Sequence, residues 1–559
     1  MQLKMKRIKV RYHVLFIQAS MAVFLLGGCA SGGEEEDEVE LSKKPNADDE
    51  EVFERSIDET ERLTSYGVSA GHPDAVEAGM KVLDNGGNAM DAAIAAAYAI
   101  SVVEPFASGI GGGGVTLIHE QGEEAEAYDY REVVPEDGVP SSNTGVPGFV
   151  AGMMTMHEDY GRSDWQELLN PAIDLADHAT VSETFAEQLQ SAQGRLPVER
   201  LEHFYPGESP LSAGDDIEQS ELADTLRLIR DRGGESFYEA EIAEGLVSEV
   251  DGLNMNSLSD YRVGQHQPVT GEFAGYEVVG APLPLPGAGV IQMLQIIEER
   301  GTLSESRNST EFIHDIAMSW RIAHHVIETE FDDPSFVDVP IDHLTDTEQN
   351  KALAEEISSD SLLSENELVA RDSDPNTTHI TVIDDEGTVV SMTNTLTDFF
   401  GSGDYTQGFF LNNQMSRFSI GREGNNEPEP GKRSITWSSP LILADEKGPL
   451  MGIGSPGGER IPIMLTQVIA DWVGGEADLE QAVETERFHL TEDELVIEGE
   501  VDSSQREALL QKGYQDVREP PTPLYFGSIQ AIAIDRETGE LEGATDHRRE
   551  GAWRKETTQ

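Results

Sequence analysis

Four residues near the middle of the chain, Asn376-Thr377-Thr378-His379, indicate a specific chemistry. They stand where a polar run, residues 371–375, gives way to an alternating strand, residues 379–383. A threonine hydroxyl is a weak nucleophile until a base removes its proton, and an N-terminal threonine carries such a base in its own α-amine. Cleavage between Asn376 and Thr377 would create that amine. The pattern predicts a proenzyme that cuts itself; the alternative is an ordinary threonine, a residue type that strands favour.

Further motifs follow and precede this one in a fixed order. After it come Thr393-Asn394-Thr395-Leu396, Phe400-Gly401-Ser402-Gly403, Leu411-Asn412-Asn413-Gln414-Met415 and Gly454-Ser455-Pro456-Gly457-Gly458. Before it come His72-Pro73, Gly86-Gly87-Asn88-Ala89, Gly109-Ile110-Gly111-Gly112-Gly113 and Asp129-Tyr130-Arg131-Glu132. From about residue 65 to the end, this ordered set resembles the γ-glutamyltransferase family.

The resemblance implies an α+β fold of the N-terminal-nucleophile hydrolase type, a four-layer αββα sandwich built from two subunits of one self-cleaved precursor. Residues 65–376 would form the large subunit and residues 377–559 the small catalytic subunit. The family implies no cofactor and no metal ion. The spacing of His, Cys and Asp residues in the sequence does not follow a metal-ligand pattern.

The same resemblance implies a role for each site residue. Thr377 would attack a γ-glutamyl amide and pass the acyl group to water or to an amine, as in glutathione hydrolases. Thr395 would orient Thr377, and the backbone N–H groups of Gly457 and Gly458 would stabilise the oxyanion. Arg131 would bind the α-carboxylate of the substrate; the alternative is a residue of a surface salt bridge.

Several substrate-binding positions depart from the family pattern. Thr397 stands where an Asn is usual, Arg417 where an Asp is usual, and Thr436-Trp437 where Ser-Ser is usual. An Arg in place of Asp repels the α-ammonium of a substrate and attracts a carboxylate. The segment from residue 415 to residue 432 is also short, so a lid over the site is expected to be missing.

These departures favour a donor whose α-amine is absent or acylated, such as poly-γ-glutamate or a glutaryl side chain. The alternative is that Gln414, Thr395 and Arg131 suffice for glutathione-like substrates. A reading from another class is an inactive cell-surface binding lipoprotein that kept the fold.

The N-terminus reads as a targeting segment. A basic stretch and a short apolar stretch end in Leu26-Gly27-Gly28-Cys29, which resembles a bacterial lipoprotein signal. Residues 1–28 would be the signal peptide, Cys29 the lipidated residue and residues 29–64 an acidic disordered tether. The alternative is an ordinary signal peptide with an incidental cysteine. The protein is therefore expected outside the cytoplasm, held to the membrane by a lipid anchor.

The charge balance excludes one class of partner. The 106 acidic and 38 basic residues give a formal charge of -68, the wrong sign for binding nucleic acid. The acidic residues run through the whole chain, which indicates a solvated surface suited to high salt. Acidic pairs such as Asp332-Asp333 and Asp384-Asp385 are assigned to that surface.

The helices and strands that must position the site can be predicted from the spacing of apolar residues and from the Gly and Pro residues that interrupt it. Helices are predicted over 73–83, 89–103, 165–176, 217–232, 311–329, 479–486 and 504–512, and strands over 115–118, 276–279, 379–383, 388–392 and 439–443. The glycine run 109–114 lies between a helix and a strand, the reverse of a dinucleotide-binding order, so it predicts close backbone packing. His72 and His379 are predicted to be structural.

Overall fold

The computed structural model describes residues 62–307, 309–363, 375–419, 426–475 and 477–558, without the side chains of residues 375 and 376. Fifteen α-helices are present in this part of the chain: α1 Pro73–Asp84, α2 Ala89–Val103, α3 Phe149–Tyr160, α4 Trp165–Asp177, α5 Glu183–Ala192, α6 Ser220–Arg232, α7 Gly234–Tyr238, α8 Glu241–Glu249, α9 Met255–Ser259, α10 Gly287–Glu299, α11 Thr310–Glu330, α12 Thr347–Glu356, α13 Ile461–Val473, α14 Leu479–Glu484 and α15 Ser503–Lys512. No helix among these residues is both long and apolar enough to cross a membrane.

The same residues form twenty strands: β1 Ser65–Ala70, β2 Gly113–His119, β3 Glu126–Asp129, β4 Ala179–Thr180, β5 Asp216–Ile217, β6 Gly264–His266, β7 Val269–Phe273, β8 Tyr276–Gly280, β9 Pro375–Ile383, β10 Val389–Asp398, β11 Tyr405–Thr406, β12 Phe409–Phe410, β13 Leu441–Asp445, β14 Gly448–Gly454, β15 Phe488–Thr491, β16 Glu494–Ile497, β17 Asp516–Arg518, β18 Gln530–Ile534, β19 Leu541–Ala544 and β20 Ala552–Thr557.

Two large antiparallel sheets organise the strands. Sheet 1 has the order β20-β1-β9-β10-β2-β3-β6, and sheet 2 has the order β19-β18-β14-β13-β8-β7. Each sheet contains strands from both sides of the predicted cleavage point. In sheet 1, for example, β1 pairs with both β9 and β20. A cut before Thr377 would therefore leave the two parts interlocked by main-chain hydrogen bonds.

Three buried apolar clusters show how the sheets pack. One cluster joins inward-facing residues of both sheets, such as Leu117, Ile383, Ile442 and Ile532. A second joins the other face of sheet 1 to α1 to α6, and a third joins the other face of sheet 2 to α10, α11, α13 and α14. Because side chains alternate across a strand, neighbouring residues such as Val382 and Ile383 enter different clusters.

Helix α2 is the main support of sheet 1. It is buried along its whole length. Its sequence permits this burial because it is rich in alanine and has no charged residue after the first turn. Asn88 and Asp91 form a capping box at its start. A carboxylate oxygen of Asp384, just after β9, accepts a further hydrogen bond at 3.0 Å from the Ala89 N–H. The helix is thus fixed to the strand that carries Thr377.

Most predicted elements are confirmed within one to three residues. The helix predicted over 217–232 is wrong at its start, because residues 216–217 pair with β4 and the helix begins at Ser220. Strand β10 continues to Asp398, further than the pattern predicted. The helix–glycine–strand order around residues 109–114 is confirmed, with α2 before and β2 after.

The assignment of the acidic pairs to a solvated surface is wrong for Asp332, Asp333 and Asp384, which are buried. The ammonium group of Lys432 lies 2.8 Å from a carboxylate oxygen of Asp332, and Asp333 accepts from the Arg433 N–H at 2.9 Å. Their short side chains satisfy buried donors instead of meeting water. A sequence pattern of adjacent acids does not distinguish these two roles.

Candidate active site

Thr377 lies at an irregularity between β9 and β10. Thr378 is opposite Asn394 and Asn376 is opposite Thr397, so Thr395 and Leu396 together face the single residue Thr377. This two-against-one arrangement is a β-bulge, a device that re-aims a side chain next to many active sites. Thr377 is buried, and its hydroxyl donates a hydrogen bond to the hydroxyl oxygen of Thr395 at 3.3 Å.

The bulge places strain on Thr397. Its φ is 84°, in the left-handed region that β-branched residues rarely adopt. The Thr397 N–H donates to the Thr395 hydroxyl oxygen at 2.8 Å, and its own hydroxyl donates to the side-chain oxygen of Gln414. Asn tolerates this backbone region better than other non-glycine residues do. The family's usual Asn at this position therefore suits the backbone better than the Thr found here.

Glycine packing brings the neighbouring loop against this bulge. A Cβ at Gly112 would lie 2.2 Å from the carbonyl oxygen of Thr395, and one at Gly111 would lie 2.1 Å from that of Phe410. Any side chain at either position would displace main chain. The predicted close backbone packing is confirmed.

Gly457 and Gly458 follow β14 and begin a short helical turn, residues 458–460, that packs against β9. Both have positive φ, 140° and 60°. Within the described residues, neither N–H donates to a protein acceptor. Two N–H groups without protein acceptors beside the nucleophile strand are suited to binding an oxyanion. Whether they do so stays a prediction.

Arg131 is a buried residue in an ion pair, not a surface one. Its guanidinium donates to both carboxylate oxygens of Asp129, at 2.9 and 2.6 Å, and to the carbonyl oxygen of Ser434 at 2.7 Å. Burial by itself would raise the pKa of Asp129, but Arg131 and Arg433 outweigh burial and bring that pKa to about 2. Part of the binding capacity of Arg131 is therefore already used inside the protein.

One chain of hydrogen bonds connects five of the predicted site residues. It runs from Thr377 to Thr395, Thr397 and Gln414, whose amide donates to the Ser434 hydroxyl at 2.8 Å, and ends at Arg131. Ser434 is a residue that the sequence did not single out. Its hydroxyl and its carbonyl oxygen join Gln414 to Arg131.

Arg417 and Thr436 are close in sequence to Gln414 and Ser434, two members of this chain of hydrogen bonds, but they make different contacts. The Arg417 guanidinium is 3.5 Å from a carboxylate oxygen of Asp398, and its carbonyl oxygen accepts from the Asn426 amide at 2.8 Å. Thr436 is buried beside Trp437, whose indole stacks on His324 with 5.5 Å between ring centres. The segment predicted to lack a lid includes residues 420–425, which lie outside the described residues.

The two histidines flanking the motifs have structural contacts. Burial lowers the pKa of His379 to about 3, and its ring contacts the hydroxyls of Thr393 and Thr381. The His72 ring caps α1 by accepting from the Asp74 N–H at 3.2 Å. Neither contact involves Thr377.

Sequence reasoning missed Arg549. Its guanidinium donates a hydrogen bond to the carbonyl oxygen of Thr377 at 3.3 Å, although 172 residues separate the two. The contact arises because β20, just after Arg549, pairs with β1, which in turn pairs with β9. No local pattern in the sequence indicates which distant strands pair in this way.

Thr377 lies on an inner strand of an antiparallel sheet, hydrogen-bonded to Thr395, and that strand contacts the turn at residues 458–460. This arrangement is one that an enzyme with a threonine nucleophile could use. The family model for gamma-glutamyltranspeptidase matches residues 75–555. The chain therefore belongs to the gamma-glutamyltranspeptidase family of N-terminal-nucleophile hydrolases, and the resemblance noted in the sequence is confirmed.

Curated relatives agree with this assignment. The capsule biosynthesis protein CapD proenzyme of Bacillus anthracis is 38% identical over 89% of this chain and 92% of its own length. The glutathione hydrolase proenzyme of Escherichia coli K12 is 30% identical over 85% of this chain and 89% of its own.

Among solved structures, the cephalosporin acylase from Bacillus halodurans superposes with a TM-score of 0.81 at 24% identity. It covers 88% of this chain and 96% of its own, which shows that the fold is shared.

Proposed function

We propose that the protein is a self-processing γ-glutamyl acyltransferase and hydrolase with Thr377 as its nucleophile. One observation carries the proposal: at the β-bulge the Thr377 hydroxyl donates a hydrogen bond to that of Thr395, and the strand that holds Thr377 contacts the turn that Gly458 begins. The names of the relatives, which include proenzymes and glutathione hydrolases, support it.

The reaction would proceed in two steps. The Thr377 hydroxyl oxygen attacks the γ-carbonyl carbon, its proton passes to the α-amine of Thr377, and the carbonyl becomes an oxyanion facing Gly457 and Gly458. The C–N bond then breaks and the leaving amine takes the proton, which gives an ester on Thr377. Water or an acceptor amine attacks the ester and releases glutamate or a new γ-glutamyl amide.

The four-layer αββα arrangement and the two-subunit state belong to the same proposal. Three apolar clusters, one between the sheets and one on each outer face, support the layers. The interleaving of the strands before and after Thr377 supports a cleaved protein that stays assembled. The boundaries at 376 and 377 stay predictions.

For the donor, we favour poly-γ-glutamate or another chain whose α-amine is acylated. Arg417 puts a cation where an ammonium-binding Asp is usual in the family, and its guanidinium lies 3.5 Å from a carboxylate oxygen of Asp398. A capsule biosynthesis protein among the relatives supports a polymeric donor.

The test compares turnover of poly-γ-glutamate, glutathione, γ-glutamyl-p-nitroanilide and a glutaryl anilide by wild type and by R417D. We expect the wild type to prefer the polymer and R417D to gain glutathione turnover at least tenfold relative to the polymer. R417K, which keeps the charge, is the matched control. Glutathione strongly preferred by the wild type, with no change in R417D, would reject the polymeric donor. A preference for the glutaryl anilide would favour an acylase instead.

We also propose that Cys29 is lipidated after removal of residues 1–28 and that the acidic segment after it tethers the enzyme outside the cytoplasm. The tether predicted over residues 29–64 is corrected at its end, because residues 62–64 bond to the folded part of the chain. Residues 1–61 lie outside the described residues. From residue 62 the chain contacts the fold: Arg62 pairs with Asp385 at 2.7 Å, and the Thr64 N–H donates to the Gly539 carbonyl. We expect wild type to partition into detergent and C29A into buffer. Equal partitioning into buffer would reject the anchor.

A further inference from the structure

One buried asparagine, Asn426, bonds to neighbouring parts of the chain with all four of its polar groups. It is 2% exposed, and its φ of 63° lies in the left-handed region that Asn tolerates better than most residues. Its N–H donates to a carboxylate oxygen of Asp332 at 3.1 Å, and its carbonyl oxygen accepts from the Ser419 N–H at 2.9 Å. These two main-chain bonds fix the backbone of Asn426 and leave its side-chain amide for other partners.

The side-chain amide of Asn426 joins the two segments that carry departures from the family pattern. Its nitrogen donates to the carbonyl oxygen of Arg417 at 2.8 Å, and its oxygen accepts from the Ile435 N–H at 3.0 Å. Arg417 is the last residue of a short helical turn, residues 414–417, and Ile435 immediately precedes Thr436. One side chain therefore sets the distance between the main chain at Arg417 and the main chain at Ile435.

A second connection joins the same two segments at the other end of the turn. The Gln414 amide donates to the Ser434 hydroxyl at 2.8 Å, and the Ser434 carbonyl oxygen accepts from the Arg131 guanidinium. The turn is thus held against residues 434–435 at its first residue and at its last. Two points of attachment restrict the rotation of the turn, which a single hydrogen bond would leave open.

A buried ion pair anchors Asn426 in turn. One carboxylate oxygen of Asp332 accepts from the Asn426 N–H, and the other lies 2.8 Å from the ammonium group of Lys432. Asp332 and Lys432 are each 2% exposed, and either charge alone would be costly to bury. Because this anchor uses the main chain of Asn426, a change of its side chain would leave the anchor in place.

We propose that Asn426 is a positioning residue for donor specificity: its side-chain amide holds the main chain of Arg417 against that of Ile435, so that the Arg417 guanidinium meets a carboxylate of a poly-γ-glutamate donor. Asn426 contacts no reacting atom and acts through Arg417. The proposal rests on the proposed function, because it concerns how the donor is bound.

The test uses two substitutions that divide the contacts of Asn426. In N426G, glycine keeps the left-handed backbone and the main-chain bonds, and both side-chain bonds are lost. In N426D, the carboxylate still accepts from the Ile435 N–H but has no donor for the carbonyl oxygen of Arg417. If N426G fails to fold, N426D makes the same comparison with a side chain of nearly the same shape.

The assay is steady-state cleavage of a γ-linked glutamate oligomer, followed by the amines it releases and normalised to the cleaved fraction. Each variant should raise KM about tenfold with kcat within about twofold, because the change weakens donor binding and touches no bond of Thr377. The matched control is N85G, in which an exposed asparagine loses its bond to the Lys81 carbonyl oxygen at the end of α1. This control should have the KM and kcat of wild type.

Arg417 offers an independent check. R417A should also raise KM for the oligomer, and R417A combined with N426G should raise it no further, because both changes break one unit. A merely structural role of Asn426 would instead add its own loss to that of R417A and would lower kcat and the cleaved fraction together.

Three results would overturn the proposal while leaving the proposed function intact: a wild-type KM in both Asn426 variants, a lower kcat with unchanged KM, or additive increases of KM in the double variant. A wild-type KM in R417A would overturn the proposal together with the role of Arg417 in donor choice. Failure of the proposed function is distinct from all of these, because the wild type would then neither cut itself nor release amines from the oligomer or from γ-glutamyl-p-nitroanilide.

Discussion

Replacing Thr395 by valine removes a hydroxyl and keeps the shape of the side chain. That hydroxyl accepts from the Thr397 N–H at 2.8 Å and from the Thr377 hydroxyl at 3.3 Å. A buried N–H left without a partner costs about 1–3 kcal/mol, and a hydrogen bond contributes about 0.5–1.5 kcal/mol. The first value predicts the loss in free energy of unfolding. The second predicts the loss of the free energy that orients the Thr377 hydroxyl.

A loss of about 0.5–1.5 kcal/mol at the nucleophile corresponds to a rate roughly 2- to 12-fold lower. We therefore expect T395V to lower kcat by that factor and to lower the urea midpoint. T395S keeps the hydroxyl and should retain kcat, apart from the small stability loss of one methyl group. The assay is release of p-nitroaniline from γ-glutamyl-p-nitroanilide, normalised to the cleaved fraction on a denaturing gel. A T395V kcat equal to wild type, or a T395S kcat as low as that of T395V, would refute the reasoning.

Three further predictions follow from strain, ion pairing and net charge. T397N should raise the melting temperature, because the left-handed φ of 84° strains threonine by about 1–2 kcal/mol; a lower melting temperature would contradict the strain. The pKa of Asp129 is depressed to about 2, so the stability that its ionised form contributes is present above its ordinary pKa of 3.8 and is lost as the pH falls through 2. Circular dichroism should show that D129N lacks this acid transition and is less stable than wild type at pH 7. With a charge of -68, activity should fall when salt is removed, and equal activity and melting temperature at both salt levels would contradict a salt-adapted surface.

The sequence predicted those parts of the protein whose determinants are local. Helix α2 could be assigned because its alanine run begins at an Asn cap, and β9 because its residues alternate. Thr377 and Gly457 could be proposed because their motifs are short and contiguous, and their roles stay predictions. Asp332 was misplaced because its partner, Lys432, lies a hundred residues away.

The unpredicted parts depend on long-range pairing. The bulge at Thr395 exists only in the register between β9 and β10, and the strain at Thr397 follows from it. Arg549 reaches Thr377 only because β20 and β9 flank the same strand. The ion pair between Arg131 and Asp129 could be suspected from their spacing of two residues, but the burial of this pair could not.

The most direct test of Thr377 as a self-generated nucleophile is the intact mass of the purified protein, with and without a γ-glutamyl substrate. The account predicts two pieces in wild type, one of them beginning at Thr377 and gaining a γ-glutamyl group with substrate, and one uncut chain in T377A. A wild type that hydrolyses γ-glutamyl amides while remaining a single chain, or an acyl group found on another residue, would contradict it.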